Sequence, residues 1–118
     1  MTNPNKRKGD RAERAVRDYL QTIWPTRKTR AGFDDDLGDV IAETSRGLLV
    51  CQVKDVASPQ WKKWFTQLED QVTNLKANTD KPVIGGLLVW KTRGSANPAE
   101  WRAITTLNKV SDLIEGSG

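Results

Sequence analysis

The sequence predicts an α/β domain, a mixed central β-sheet flanked by helices in the order α-β-β-β-α-β-β-α. Three observations carry this. Residues 38–54 read as two short apolar strands around a tight turn at Ser45-Arg46. On either side of them, over Asp10–Ile23 and Ser58–Asn78, apolar residues recur at helical spacing. Val83–Trp90 is apolar throughout, as a strand covered on both faces should be. Helical and strand segments interleaved in this way signal layers packed on a sheet.

Taken in order, residues 1–8 read as a basic, flexible arm ahead of a single domain over 9–115, with 116–118 as a tail. In the first helix Ala12, Val16, Tyr19/Leu20 and Ile23 form the apolar face, and Pro25 ends it. Arg11, Arg14 and Arg17 make an outward basic stripe. Glu13 flanks the apolar face and has two readings. It is the N3 member of a capping box with Asp10 as N-cap, or a carboxylate aimed at the hairpin. Trp24–Thr29 is a candidate edge strand, and residues 30–38 form a loop with Asp34, Asp35 and Asp36 in succession. Such runs are usually solvated turns, so only Asp36 is kept as a possible addition to a site. The second helix takes Ser58 as N-cap and Pro59 at N1. Its stripe is Trp61, Trp64/Phe65, Leu68, Val72 and Leu75, with Trp61, nearest the start, partly exposed. In the Val83–Trp90 strand, Gly85-Gly86 marks a bulge or a close backbone approach. Residues 91–96 form a basic loop, Asn97–Glu100 resembles a helix start, Trp101–Thr106 alternates like a strand, and Asn108–Ile114 is a short last helix.

Composition narrows the chemistry. The 118 residues include no histidine and one cysteine, Cys51. Ser-His-Asp and Cys-His catalysis and a histidine general base are therefore excluded. No zinc is expected, because the thiolates and imidazoles of a zinc site are missing. A metal held within one subunit would be bound by oxygen, which selects Mg²⁺ or Mn²⁺. A lone cysteine forms no internal disulfide, as suits a reducing cytoplasm, that of a host cell if the chain is phage-encoded. The basic N-terminus has no apolar run behind it, so neither a secretory signal nor a membrane partner is expected. The net charge is +4, and residues 1–30 hold nine of the 19 Lys and Arg against three of the 15 acids. That asymmetry points to a polyanion, nucleic acid above all.

The hairpin is where these constraints meet. With Ser45-Arg46 at its tip, Asp39 lies opposite Gln52 and Ile41 opposite Val50. Gln52 and Lys54 share a face because strand side chains alternate. A carboxylate, an amide and an ammonium group thus meet at the open end of an apolar hairpin. Phosphodiester hydrolysis needs such groups: oxygens that hold Mg²⁺ against the phosphate, and a cation that stabilises the developing charge. Asp39, the Gln52 amide oxygen and the Val53 carbonyl can supply the oxygens. Lys54 is the cation, and Glu13 could complete the shell.

These residues resemble the PD-(D/E)xK nuclease superfamily and, within it, the archaeal-type Holliday junction resolvases, which also occur in phages. The match is carried by Lys8-Gly9-x-x-x-Glu13-Arg14 with Tyr19-Leu20, Arg30, Asp39-Val40-Ile41-Ala42 and Gln52-Val53-Lys54. Lys81-Pro82-Val83-Ile84 and Trp101-Arg102 extend it over nearly the whole chain. The resemblance implies a PD-(D/E)xK, restriction-endonuclease-like fold. It also implies a homodimeric Mg²⁺-dependent endonuclease, with Mn²⁺ as a substitute, that cuts four-way junctions of double-stranded DNA symmetrically. Glu13, Asp39, Gln52 and Lys54 become the catalytic set, the first three as metal ligands. Lys6, Arg7, Lys8 and Arg11 suit the family's DNA-contacting segment, with Arg30, Lys91 and Arg93 as further DNA-binding candidates. The family usually has Glu where this chain has Gln52, which removes one negative charge from the site. Two other readings remain: an Mrr-like nuclease of the same superfamily acting on linear DNA, and a DNA-binding protein on a nuclease fold that no longer cuts.

Overall fold

A computed structural model describes residues 4–28 and 39–116, with side chains from Asp10 to Lys28 and from Val40 to Gly116. Helix α1 (Pro4–Gln21) leads into β1 (Thr26–Lys28), β2 (Asp39–Thr44) and β3 (Gly47–Lys54). Helix α2 (Trp61–Ala77) then crosses to β4 (Val83–Trp90). A 3-10 turn at Pro98–Glu100 precedes β5 (Arg102–Ile104), and another at Leu107–Lys109 precedes α3 (Val110–Glu115). The five strands lie in the order β1-β2-β3-β4-β5. All neighbours are antiparallel except β3 and β4, which are parallel. Parallel neighbours need a long crossover, and α2 provides it. The expected α/β class and order of elements are therefore present.

Strand alternation divides the core into two layers. Val40, Ala42, Leu49, Cys51 and Val53 face α1 and pack with Ala12 and Val16. Val50 and Leu88 face α2 and pack with Trp64 and Leu68. Leu88 is completely buried, and enclosing such a side chain stabilises the fold by roughly 1.5–3 kcal/mol.

The bulge reading of the glycine pair is realised, while the close approach at Gly86 is made by side chains and not by another backbone. The β3–β4 pairing steps from Leu48↔Val83 to Leu49↔Gly85, and Gly85 takes a φ of +139° at that bulge. A Cβ on Gly86 would lie 2.6 Å from Leu68 Cδ1, so the bare position lets the Leu68 side chain of α2 pack directly on β4.

Several boundaries differ from expectation. Helix α1 starts at Pro4, so residues 4–8, expected ahead of the first helix, are helical. Proline fits a first helical turn, where its missing N–H has no partner to lose. Asp10 then lies inside the helix, which removes the capping-box reading of Glu13. Helix α2 starts at Trp61 with Gln60 as N-cap and no side-chain cap, so Ser58 and Pro59 lie ahead of it. The first ring, Trp61, packs edge-on against Trp64 and Trp90, and this anchors the helix start. Asn97–Glu100 gives only a 3-10 turn, capped by Asn97 accepting from the Ala99 N–H. The strand expected over Trp101–Thr106 shortens to Arg102–Ile104, because Trp101 turns inward and its Nε1 donates to the Ser95 carbonyl. Strand β4 lies between β3 and β5, so neither of its edges is free. Among the described residues no helix is long and apolar enough to cross a membrane.

Candidate active site at the open end of the hairpin

The hairpin register is the one expected, with Asp39 opposite Gln52, Ile41 opposite Val50 and Thr44 opposite Gly47. Thr44 Oγ1 donates to the Gly47 carbonyl and accepts from the Arg46 N–H, which fixes the two-residue turn. The turn matters because a slip of one residue would move every side chain to the other face.

Gln52 and Lys54 share the α2 face, and α2 holds both. Gln52 Nε2 donates to Gln71 Oε1 at 2.7 Å. Lys54 Nζ donates to Gln67 Oε1 at 3.3 Å and lies 5.6 Å from the centre of the Trp64 ring. Gln67 and Gln71 are one helical turn apart, so one helix face holds two side chains that are themselves two apart on a strand. Gln52 is only 2% exposed, and its Oε1 is buried with no hydrogen-bond partner. An unpaired buried acceptor is costly unless something completes it. The bond to Gln71 uses the amide's donor side and leaves its oxygen available.

That oxygen is a neutral hard donor, the kind that Mg²⁺ accepts alongside a carboxylate. Asp39 stands at the opposing register position, and Val53 contributes a backbone carbonyl from the same strand. The donor set therefore fits a hard divalent ion. Among the described residues no three His, Cys, Asp or Glu side chains gather in one place.

The structure does not bring Glu13 into this group. Its carboxylate projects from α1, on the other face of the sheet from Gln52 and Lys54, and pairs with Lys28 of β1 at 3.6 Å. Lys28 is in register with Val40, so both groups sit near the same end of the sheet as Gln52. Glu13 is 2% exposed, and burial pushes its carboxyl up from 4.5 to about 7, against the pull of the Lys28 ammonium.

The cationic candidates are spread out. Arg11 is exposed on α1, and Lys6, Arg7 and Lys8 lie in its first turns, with their side chains outside the description. Arg30 and Asp34–Asp36 fall outside the described residues. Lys91 is engaged, 3.6 Å from Asp55 and 5.5 Å over the Trp101 ring. Arg93 is exposed.

Sequence reasoning missed Gln67, Gln71 and Lys28. The two glutamines carried a signal, since their spacing of four puts them on one helix face beside Trp64 and Leu68. Lys28 carried none, because its partner depends on how α1 lies across β1.

No family model, no curated protein and no solved structure matches the chain.

Proposed function

We propose that this protein is a metal-dependent DNA endonuclease of the PD-(D/E)xK type that resolves four-way junctions. One observation carries the reading. The hairpin end sets Gln52, with a buried unpartnered amide oxygen, opposite Asp39 and two residues from a lysine held by α2. Asp39, Gln52 Oε1 and the Val53 carbonyl would hold Mg²⁺. When bound, the ion supplies Lewis acidity at the scissile phosphate and lowers the pKa of its water. The Lys54 ammonium stabilises the negative charge that develops on the phosphate, and Gln67 and Trp64 fix its position beforehand. Junction specificity rests on the resolvase resemblance. Two such sites in a homodimer would nick opposing strands.

The test is a labelled four-way junction incubated with Mg²⁺ or with chelator. Paired nicks in opposing strands are expected with the ion alone. Absence of nicks with both Mg²⁺ and Mn²⁺ would leave a protein that only binds DNA.

Gln52→Glu probes the amide directly. A second carboxylate opposite Asp39 should tighten metal binding. Without the ion it confronts Gln71 Oε1 and sits buried, so the variant should melt lower than wild type in chelator and regain stability with Mg²⁺. Thermal melts with and without the ion check this; a melt that ignores Mg²⁺ would remove Gln52 from the shell.

Neutralising Arg7 and Lys8 should weaken junction binding and reduce the slope of log affinity against log salt by up to about 2. An unchanged slope would take the start of α1 out of the interface.

A further inference from the structure

We infer that the N-terminal end of α2 is a stacking site for an unpaired nucleotide, which passes from it to Lys54. A shallow groove of about 600 Å³ lies there, lined by Gln60, Trp61, Lys62, Lys63, Thr66 and Gln67. Trp61 is 38% exposed, although it is one of the largest apolar side chains in the protein. Its ring is held on three sides: edge-on to Trp64 at 5.4 Å, edge-on to Trp90 at 5.3 Å and stacked towards Phe65 at 6.4 Å. The Trp90 ring is itself tied down, its Nε1 donating to the Val56 carbonyl. The exposed surface of Trp61 is therefore a rigid aromatic platform.

The charge around it has one sign. Lys62 and Lys63 are exposed and line the groove, and among the described residues no acidic one lines it. An aromatic surface with adjacent cations suits a base and its phosphates. It suits an unpaired nucleotide in particular, because in a duplex the base faces are covered by their neighbours. Gln67 connects this groove to the candidate active site, since it lines the groove and accepts from Lys54. A strand laid along the groove would meet Gln67, the residue that accepts from Lys54. The inference rests on the nuclease reading for its destination, but stacking can be measured without cleavage.

The experiment uses the full chain in chelator. Binding of a labelled oligo(dT) and of a duplex of matched length is followed by fluorescence anisotropy. Trp61→Leu keeps apolar packing and removes the aromatic face. It should weaken oligo(dT) binding roughly five- to a hundredfold and leave duplex binding within about twofold. Trp61→Phe should retain most of the affinity. Lys62→Ala with Lys63→Ala should weaken both ligands. Equal oligo(dT) binding by Trp61→Leu and wild type would overturn the inference. So would parallel loss for both ligands, or a change in self-association alone, which would make the groove a contact between copies. If wild type cuts no junction yet Trp61→Leu loses oligo(dT), the stacking site stands and the nuclease reading falls. If wild type cuts and Trp61→Leu binds normally, the reverse holds.

Discussion

Lys54→Ala is expected to lower the rate of junction cleavage by roughly 10²–10³-fold or more while leaving junction binding within about twofold. The ammonium is held by Gln67 Oε1 at 3.3 Å and by the Trp64 ring, so it is positioned before substrate arrives. A preorganised cation stabilises charge in the transition state without reorganisation, and that is where its loss is felt. Binding that is spread over many phosphate contacts should survive. Asp39→Asn should behave alike through loss of the metal. Single-turnover cleavage beside an affinity measurement separates the two effects. Binding that falls together with cleavage would show that Lys54 supports the fold and not the reaction.

The second large effect concerns stability. Burial raises the Glu13 carboxyl from 4.5 to about 7, so folding favours its protonated form. The stabilisation is complete below about pH 4.5 and is lost as pH rises through about 7. Glu13→Gln keeps the shape without the charge. In chelator it should match wild type near pH 4 and exceed it by about 3 kcal/mol near pH 8, from the size of the shift. Denaturant unfolding across that range measures the difference. A variant less stable than wild type at pH 8 would mean that the ionised carboxylate is well compensated by Lys28. Repeating the series with Mg²⁺ asks whether Glu13 joins the metal shell, as the resemblance implies. An ion drawing on Glu13 would favour its charged form and reverse the advantage of the glutamine.

Much of this was readable before any coordinates. Apolar period and turn chemistry are local, and they placed the hairpin, its register and the doubly covered β4. The Asp39–Gln52 pairing followed from a two-residue turn and strand geometry alone. Boundaries failed where a tertiary contact decides them. The start of α2 depends on Trp61 meeting Trp90, which is 29 residues away in the chain. Glu13 was only half legible for a related reason. Helical spacing showed that it pointed inward, but not which face of the sheet α1 covers. The partners of Gln52 and Lys54 were half legible, since Gln67 and Gln71 shared a helix face but could be matched to β3 only through the crossover.

The central claim is that the hairpin end cuts DNA and selects a junction. It is tested most directly in one tube, with a four-way junction and a linear duplex of matching sequence carrying different labels. Wild-type protein and Mg²⁺ should nick the junction in opposing strands at least about tenfold faster than the duplex, and chelator should stop both reactions. Equal rates on the two substrates would contradict junction resolution, and no cleavage with either Mg²⁺ or Mn²⁺ would contradict catalysis itself.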